Sequence, residues 1–530
     1  MHSLTLFKIH QWVTIVSIAL IFVLAIAPVS ALQTTNGDPT TFPQIDNYIS
    51  SQMADLHIPG ISIAIVQGSE IVHLKSFGIS DPSGRLLTPQ TPMLIGSLTK
   101  SFTALAVMQL VEAGKIDLDS PVQHYLPWFF ILPPPESDYM DIDQNPDSKA
   151  SSRITIRHLL NQTSGISRST GEKMIADWDT SDSAIEHYVR MLGGERMHHA
   201  AGAGFEYSNA NYVTLGMVIQ VVSRMSYEAY VQEHIFNPLE MNNSFTSQVE
   251  AKQHGMSAGY RQWFGFPVNA SNLLYPRGMM PAGYLISSVE DLGHYMIAQM
   301  NEGRYKDVSI ISPHTIETVH APAVLAEPEG YHRQPSGYYG MGWYVMEMND
   351  IPVLVHDGDT PNFHADMVFI PARELGIVLL VNTNTVLLGD GIRNLSAGVI
   401  NILMGQKPPR AESDMKIYSL YIFFIGFLGF EFFKLGRFVF TLRRQNQRNQ
   451  FVSASWFKQI ALPVLIGLTV ALWMFISMPL MFKVPWQVMI RNQPDLAWVV
   501  LLGGLLALLN GILQSLQNAW KISKTTLSRM

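Results

Sequence analysis

Apolar and polar residues alternate in two neighbouring segments near the start of the chain, in the pattern that paired β-strands show. These segments are residues 61–66 and 70–74, and Gly68 lies in the turn between them. Further along, the apolar positions recur at helical spacing over residues 97–112, 154–160, 212–224 and 227–236. Strand-like segments then return at residues 353–355, 365–370 and 376–382.

Strands at both ends of a helical interval indicate one antiparallel sheet built from the two extremities of the chain. We therefore predict an α+β fold, in which helices flank this sheet and a helical region is inserted between its two halves. The expected body covers residues 44–405, with proline-containing linkers at 32–43 and 406–416.

Three apolar segments follow this body, and each is long enough to cross about 30 Å of hydrocarbon. They predict a three-helix transmembrane segment within residues 417–520, with spans at 417–433, 460–482 and 496–516. Lysine and arginine residues concentrate in the loop 434–458 and in the tail 521–530. The positive-inside rule places this loop and tail in the cytoplasm, so the body would lie outside. A nucleic-acid or lipid-binding role is the alternative for the loop, but its position beside two spans explains its charge.

Residues 1–31 have the pattern of a secretory signal peptide. Lys8 precedes an apolar run over residues 13–27, and small residues favour cleavage after Ala31. An uncleaved N-terminal anchor is the alternative, because the apolar run is short and its start is weakly basic. Either version exports the body. We thus predict a multi-pass protein of the cell membrane, with its body on the extracellular or periplasmic side and the lipid bilayer as a partner.

Composition narrows the choice of function. The 530 residues are 47% hydrophobic and 15% charged, and a mean hydropathy of +0.14 fits membrane attachment. A net charge of −7 argues against nucleic acid as a partner, because such binding relies on neutralising phosphates. The absence of cysteine rules out disulfides, thiol nucleophiles and cysteine-ligated metals. His198 and His199 are adjacent, but no metal-ligand spacing is found among the 17 histidines, so we expect neither a metal nor a cofactor.

Ser97 and Lys100 form the first candidate catalytic element. Ser97 begins a predicted helix, and Lys100 follows one turn later on the same face. A serine hydroxyl is a weak nucleophile at neutral pH, and a desolvated amine can take its proton. The helix N-terminus favours negative charge that develops on a bound carbonyl. Two further S-x-x-K matches, at 413–416 and 455–458, adjoin predicted spans, where a lysine is more simply an interfacial anchor.

Tyr207 and Asn209 form the second element, just before the predicted helix 212–224. Their spacing lets both side chains point into one cleft. Neighbouring cations would lower the pKa of the phenol and let Tyr207 share the role of base with Lys100. A core tyrosine followed by a capping asparagine is the alternative.

The third element, residues 356–359, comes directly after the apolar strand 353–355. Gly358 permits a substrate backbone to approach this strand closely. We expect the backbone N–H of Asp359 to act as an oxyanion donor together with that of Ser97. A lone His-x-Gly is more typical of a turn. The evidence for a functional role of His356 is therefore that this element follows the other two along the chain.

These three elements resemble the motifs of the serine β-lactamase and penicillin-binding protein superfamily, in the branch similar to class C β-lactamases with its peptidases and esterases. Residues 95–100 look like the first motif, residues 207–209 like the second and residues 356–358 like the third. The resemblance covers nearly all of residues 40–405, because flanking stretches are similar as well, at 154–165, 237–241 and 339–343.

The resemblance implies an acyl-serine mechanism, without a cofactor, in a β-lactamase/DD-peptidase-like fold. It implies that Ser97 is the nucleophile and that Lys100 and Tyr207 are the acid–base pair. It also implies a set of residues that bind substrate, with Asn209 as a contact to a substrate amide: Asn209, His356, Gly358 and Asp359.

His356 departs from the superfamily pattern, since many members carry lysine at this place. A histidine is only partly protonated at neutral pH and would attract a substrate carboxylate less strongly than lysine. Asp357 adds a negative charge beside it. Both departures argue against efficient β-lactamase activity and leave esterase or peptidase activity open. The expected substrate is a small molecule or a peptide, including peptides derived from the cell wall.

Two other functions compete with this interpretation. Residues 255–259 match the G-x-S-x-G nucleophile elbow of α/β-hydrolases, but that motif needs a buried strand before it, and residues 248–254 are polar. The second rival is a membrane sensor or penicillin-binding protein in which Ser97 is acylated with little turnover. The predicted cytoplasmic segments are too short to hold an effector domain, so we favour the hydrolase.

Overall fold

The computed structural model describes most of the chain, which forms two compact units. The chain divides into two such units, Met1–Gln44 and Ile45–Met530, and every contact below lies in the second. The predicted signal peptide, residues 1–31, lies outside the described residues, as do 32–40, 410–414, 445–455 and 528–530 of the predicted linkers, loop and tail. The described residues are 41–135, 150–175, 177, 179–273, 275–326, 337–348, 351–385, 390–409, 415–444, 456–482 and 486–527.

Strands and α-helices are numbered here in chain order. The strands are β1 (Gly60–Gln67), β2 (Glu70–Gly78), β3 (Met93–Leu94), β4 (Tyr260–Trp263), β5 (Phe266–Asn269), β6 (Ile286–Ser287), β7 (Arg304–Tyr305), β8 (Val308–Ser309), β9 (Val324–Ala326), β10 (Gly337–Gly340), β11 (Trp343–Met348), β12 (Ile351–Thr360), β13 (Phe363–Ile370), β14 (Leu375–Val381) and β15 (Thr383–Asn384). The helices are α1 (Thr41–Asp55), α2 (Thr99–Glu112), α3 (Val122–Tyr125), α4 (Ile156–Leu160), α5 (Arg168–Ile175), α6 (Ala184–Met191), α7 (Asn209–Ser223), α8 (Tyr227–Val231), α9 (Gln248–Gln253), α10 (Met280–Gly283), α11 (Val289–Met300), α12 (Pro313–His320), α13 (Asp390–Arg393), α14 (Leu395–Leu403), α15 (Met415–Arg444), α16 (Leu462–Phe482), α17 (Trp486–Asn492) and α18 (Pro494–Leu527).

One eight-stranded antiparallel sheet forms the centre of the body, in the order β2-β1-β14-β13-β12-β11-β10-β9. The hairpin from the start of the chain therefore lies beside strands from its end. Ile61 pairs with Val381, and Gln67 pairs with Leu375. The predicted α+β fold, with a sheet built from both extremities and a helical region between them, is confirmed.

Both faces of the sheet are covered, which explains why its central strands are apolar at nearly every position. Val378 and Leu380 of β14 belong to the main apolar core, and Leu379 between them is equally buried. α11 packs on one face, because a Cβ added at Gly376 would lie 2.4 Å from Met296 Cγ.

The helical interval fills the space beside this sheet and provides the helix that carries the first motif. The expected helices are present as α2, α4, α7 and α8, the last of which continues into a π-helical turn over Gln232–Phe236. α2 runs through the main core, and its Phe102 ring stacks on Tyr295 at a centroid distance of 3.9 Å. Because most of α2 is buried, a polar side chain in its first turn is removed from water.

Two C-terminal stretches are long and apolar enough to cross a membrane: Phe457–Met481 and Pro494–Ser523. They correspond to the second and third predicted spans. The first predicted span, residues 417–433, is helical as part of α15, but among the described residues only the other two stretches are long and apolar enough to span a membrane. α15 also carries charged residues, among them Glu431 and Lys434, which lower its hydropathy.

Candidate active site

Ser97 lies at the point where a short turn enters α2. A 3₁₀ turn over Gly96–Leu98 runs directly into the helix, so Ser97 and Lys100 share one face of the first turn. Lys100 Nζ lies 3.0 Å from Ser97 Oγ. The predicted spacing thus brings the hydroxyl and the amine into hydrogen-bond contact.

Lys100 is fully buried, and its amine has two further partners. Nζ donates to Asn209 Oδ1 at 2.8 Å and to the carbonyl oxygen of Ala282 at 2.6 Å. Burial lowers the pKa of Lys100 well below its usual range, Asp357 partly opposes that effect, and Arg168 adds to it. A neutral amine has two hydrogens and one lone pair, so it can donate to both of these acceptors while its lone pair faces Ser97 Oγ.

Tyr207 lies against the same amine. Lys100 Nζ is 4.8 Å from the centroid of the Tyr207 ring, and the phenol makes a hydrogen-bonding interaction with Ser97. The backbone around Tyr207 is held by Gln162, which accepts the N–H of Glu206 at its carbonyl and the N–H of Ser208 at Oε1. The three predicted side chains therefore converge from α2 and from the segment before α7.

The expectation that cations lower the pKa of Tyr207 is wrong. Burial raises the pKa above its ordinary value, and the hydrogen bond to Ser97 and the charge of Arg168 only partly oppose this. The tyrosine is more than nine-tenths buried, so desolvation of a phenolate outweighs the nearby positive charge. Tyr207 is consequently a neutral hydroxyl at neutral pH.

Residues 356–359 lie within a strand and do not form a turn after one, because β12 continues to Thr360. The pairing of β11 with β12 ends at Tyr344 and Val355. Beyond that point β12 packs against the turn that carries Ser97. A Cβ added at Gly358 would lie 1.9 Å from the carbonyl oxygen of Ile95 and 3.1 Å from the backbone nitrogen of Ser97.

The fold itself therefore requires a glycine at position 358. We expected Gly358 to make room for a substrate backbone, but it makes room for the turn before α2. Gly96 meets the strand from the other side: its φ is +53°, and a Cβ there would lie 2.6 Å from the backbone nitrogen of Asp359. The backbone nitrogens of Ser97 and Asp359, which are the predicted oxyanion donors, are thus on two segments in direct contact.

His356 is buried away from the cleft that Ser97 lines. Its ring packs near three tyrosine rings, at centroid distances of 6.5 Å from Tyr207, 6.3 Å from Tyr339 and 5.5 Å from Tyr344. Burial, with a further contribution from Lys100, lowers the pKa of His356 to about 3. The expected partial protonation at neutral pH is wrong, and this histidine is neutral.

Asp357 and Asp359 point to the side of β12 opposite His356, because successive side chains alternate along a strand. Both line the cleft. Asp359 Oδ1 lies 2.8 Å from His364 Nδ1, and Oδ2 accepts from Arg393 Nη2 at 2.5 Å. Burial alone would lower the pKa of His364, but Asp366 and Asp359 raise it to about 10. Burial also raises the pKa of Asp357, and Asp359 adds to that effect.

The cleft in front of Ser97 has a cavity volume of about 120 Å³. That is many times the roughly 10–15 Å³ that a single water molecule needs. Part of its lining comes from segments that the sequence did not single out, and, apart from the end of β12, which directly follows the third motif, no local spacing relates them to the motifs. They are α5, the residue after α10, the end of β12 and the segment between α16 and α18, which contribute Arg168, Glu172, Ile175, Tyr284, Thr360, Pro361, Val488, Arg491 and Asn492.

The rival motifs are placed elsewhere. Ser257 lies between α9 and β4, where its Oγ donates to the carbonyl oxygen of Ser80 at 2.8 Å and lies 3.1 Å from Asn382 Nδ2. The strand that a nucleophile elbow requires does not precede it. His198 and His199 lie 2.9 and 3.5 Å from Glu206 Oε2. The described part of the chain contains no group of three metal-binding side chains arranged to hold an ion.

An antiparallel sheet built from both chain ends, with a Ser–Lys–Tyr cluster at the start of a buried helix, defines the serine β-lactamase and penicillin-binding protein superfamily. The family model described as Beta-lactamase matches residues 45–397. The chain belongs to this family.

Individual relatives agree with this assignment. Protein flp from Staphylococcus aureus (strain MW2) is 30% identical over 361 residues, which are 68% of this chain and 66% of that protein. The chain thus spans slightly less than two thirds of that relative's length. Penicillin-binding protein 4 from Amycolatopsis lactamdurans is 22% identical over 328 residues, covering 62% of this chain and 81% of the relative. The octameric penicillin-binding protein homologue from Pyrococcus abyssi has a similar structure, with a TM-score of 0.58, 27% identity, and coverage of 69% of this chain and 78% of that one.

Proposed function

We propose that this protein is a membrane-anchored, exported serine hydrolase that acts through an acyl-enzyme on Ser97. The observation that carries the proposal is the contact of a buried lysine amine with a serine hydroxyl at 3.0 Å. Because burial disfavours the ammonium form, the amine is able to accept the hydroxyl proton. Membership of a family whose members are usually serine hydrolases supports the same conclusion.

The acylation step follows from this arrangement. Ser97 Oγ forms a bond to the substrate carbonyl carbon while Lys100 Nζ takes the Oγ proton. The negative charge moves to the carbonyl oxygen, where the N–H groups of Ser97 and Asp359 would stabilise it. The bond to the leaving group then breaks, and the leaving group receives the proton. Water, activated by the same amine, hydrolyses the ester on Ser97 and restores the enzyme.

Tyr207 has a distinct part in this scheme. Its raised pKa keeps the hydroxyl protonated at neutral pH, which makes it a hydrogen-bond donor and not a base. It lies against both Ser97 and Lys100. We infer that the phenol passes a proton from Lys100 to the leaving group and is itself reprotonated, so its net charge does not change.

The substrate is an acyl compound: a peptide, another amide or an ester, with peptides derived from the cell wall as one class. Neutral His356 cannot supply the attraction for a carboxylate that a lysine would give at that place. We therefore favour esterase or peptidase activity over efficient β-lactamase activity. Substrate-binding roles are proposed for Asn209 and for the backbone N–H of Asp359 on β12, whereas Gly358 serves the packing of β12 against the turn before α2.

Membrane anchoring is supported by the two long apolar stretches at the C-terminal end. The basic residues of 434–458 and of the tail, together with the signal-like residues 1–31, favour a body on the extracellular or periplasmic side. The bilayer is then a partner, and the proposed reaction requires no nucleic acid, metal or cofactor.

The test uses the full chain in detergent micelles. The protein is incubated with a fluorescent penicillin or with an activated ester, and the intact mass is measured. We expect a covalent adduct in the wild type and none in Ser97→Ala. Ser257→Ala, which removes a hydroxyl outside the cleft, is the matched control and should still form the adduct. An adduct that persists in Ser97→Ala would refute the proposal.

Turnover separates the hydrolase from the acylated sensor. A hydrolase releases many product molecules per Ser97, whereas a sensor stops near one. Labelling by the ester but not by the penicillin would identify the esterase among the proposed activities.

A further inference from the structure

The helix between the two long apolar stretches forms part of the wall of the cleft in front of Ser97. This helix is α17, and its Val488 lines the cavity together with Ile175 at the end of α5. Arg491, one turn later on the same face of α17, donates through Nη1 to the carbonyl oxygen of Ile175 at 2.6 Å. The apolar side chains of Val488 and Ile175 therefore belong to one side of the cleft. The family model ends at residue 397, so α17 lies outside the family domain.

α17 lies close to both apolar stretches along the chain. The first stretch ends at Met481, and the second begins at Pro494. Val488 is seven positions after the one and six before the other. Six residues of helix extend about 9 Å, and each headgroup layer of a bilayer is about 5–7 Å thick. In the proposed anchoring, this wall of the cleft is therefore beside the membrane surface.

The body packs against the same end of the apolar helices. Asp495, in the first turn of α18, accepts hydrogen bonds from the backbone N–H of Phe264 at 2.8 Å and from the Tyr421 hydroxyl at 2.6 Å. Gln493 precedes α18, and its Oε1 accepts from Thr385 Oγ1 at 3.2 Å. The positive-inside rule assigns this connection to the outside, opposite the basic loop and tail. The body thus contacts the helix ends that the charge pattern assigns to its own side of the membrane.

An exposed aromatic patch lies beside these contacts, at the tip of the β4–β5 hairpin. Trp263, Phe264 and Phe266 are 36%, 36% and 61% exposed. The Phe264 ring lies 5.3 Å from the ring of Tyr421, near the start of α15. Aromatic rings on a protein surface favour the headgroup level of a bilayer, where their apolar parts leave water. A tip of this kind, joined to the start of α18, fits insertion into the headgroup layer.

A cleft at this place can receive its substrate from the membrane. The cavity lining is mostly polar, with Asp357 and Asp359 on β12, but it is apolar at Val488 and Ile175 beside α17. A molecule with a polar head and a hydrocarbon chain matches both parts of this lining. We propose that the Ser97 cleft takes an acyl amphiphile, an ester or amide whose hydrocarbon chain is held in the bilayer.

The covalent step is the one described above. Ser97 Oγ bonds to the carbonyl carbon, the alcohol or amine leaves with the proton, and water releases the acid from Ser97. The proposal rests on the acyl-Ser97 function and the membrane anchoring proposed above, and it specifies the substrate class.

The first test locates the hairpin relative to the lipid. The chain contains no cysteine, so one introduced cysteine carries a fluorophore without background labelling. Phe266→Cys is compared with Val308→Cys in the full chain, reconstituted into phosphatidylcholine vesicles. Val308 is 43% exposed on β8, and the segment after β8 contacts Glu112 at the far end of α2, about 20 Å along that helix from Ser97.

Lipids that carry a nitroxide at the headgroup should quench the label at position 266 and leave the label at position 308 bright. Equal fluorescence loss at the two positions, or none at position 266, would overturn the proposed placement of the cleft. This measurement needs no catalysis, so it reports on the placement even in a protein without activity.

The second test compares two p-nitrophenyl esters with the full chain in the same vesicles. The palmitate partitions into the bilayer, whereas the butyrate stays in water. The palmitate is supplied either in the vesicles that hold the enzyme or in separate vesicles without enzyme. We expect hydrolysis to be at least about tenfold faster in the shared vesicles, because a common membrane raises the effective concentration. Equal rates would mean that substrate enters from water, which contradicts the proposal.

Val488→Ser tests the apolar side of the cleft, and Val308→Ser is the matched control. Loss of an apolar contact with the chain should lower the ratio of palmitate to butyrate hydrolysis by about 3- to 10-fold in Val488→Ser. Val308→Ser should keep the wild-type ratio. An unchanged ratio in Val488→Ser would overturn the proposal, as would acylation of Ser97 by the butyrate alone. If neither ester formed acyl-Ser97, the intact mass would show that the hydrolase function itself fails.

Discussion

Lys100 Nζ donates a hydrogen bond of 2.8 Å to Asn209 Oδ1, which joins the first turn of α2 to the first residue of α7. The sequence suggested Asn209 as a contact for substrate. The contact with Lys100 gives it a second role, because an acceptor at this distance directs one amine hydrogen away from Ser97. Asn209 thereby helps to aim the lone pair of the amine at the hydroxyl.

Replacing Lys100 with methionine should remove the base from the acylation step. We expect the rate of adduct formation to fall by about 10²- to 10⁴-fold, the usual contribution of a positioned general base. The measurement is the rate of acylation by an activated ester, followed by intact mass. Lys115→Met removes an exposed lysine just beyond the same helix and should leave the rate unchanged. Equal rates in both variants would exclude Lys100 as the base.

Asn209→Asp should move the pH dependence of the reaction. A carboxylate beside Nζ stabilises the ammonium form and raises the pKa of Lys100, whereas the neutral amine is the active form. The ascending limb of kcat/KM against pH should therefore move to higher pH, and the rate on that limb should fall about tenfold for each unit of displacement. Asn209→Ala adds no charge, so it should slow the reaction without that alkaline displacement. A profile that moved to lower pH in Asn209→Asp would contradict the assignment.

Gly358→Ala should disturb both stability and acylation. The new methyl would lie 1.9 Å from the carbonyl oxygen of Ile95, so β12 and the turn before α2 must separate. We expect a loss of about 1–3 kcal/mol in the free energy of unfolding and a fall of about 100-fold in acylation, as for a misplacement of about 1 Å. Gly194→Ala is the control, because a methyl there has open space. Unchanged acylation in Gly358→Ala would refute the close contact.

His356→Phe should make the protein less sensitive to acid. The pKa of His356 is about 3 in the folded protein and about 6.5 in an unfolded chain. Protons therefore bind preferentially to the unfolded state as the pH falls from about 6.5 towards 3, and stability is lost across that range. Between pH 7 and pH 5.5 this histidine should cost about 1 kcal/mol, a loss that phenylalanine avoids. Thermal unfolding of both proteins at the two pH values checks this, and equal losses would contradict a buried neutral histidine.

The sequence predicted those parts of the site that depend on local geometry. Ser97 and Lys100 are three positions apart on a helix, and that spacing alone brings their side chains together. The apolar, strand-like runs at 61–66 and 376–382 likewise predicted strands, and their positions at the two ends of the chain predicted that both join one sheet, in which β1 pairs with β14.

Environment and long-range packing could not be predicted in this way. Whether the pKa of Tyr207 rises or falls depends on how completely other segments exclude water from its ring. The residues beside Tyr207 in the sequence do not determine this exclusion. The side of the strand to which His356 points depends on the continuation of β12 to Thr360. The contribution of Arg491 to the cleft depends on the docking of α17 against α5, more than 300 residues earlier in the chain.

The pairing of β1 with β14 also has a consequence for biogenesis. Ile61 and Val381 are partners although 320 residues separate them in the chain. At about 5–20 residues per second, a ribosome needs some tens of seconds to produce that length. During this time the largely apolar β1 has β2 on one edge and an open edge on the other, which is a template for aggregation. We expect the export proposed for this protein to depend on a holding chaperone at the stage between the emergence of the first hairpin and that of β14.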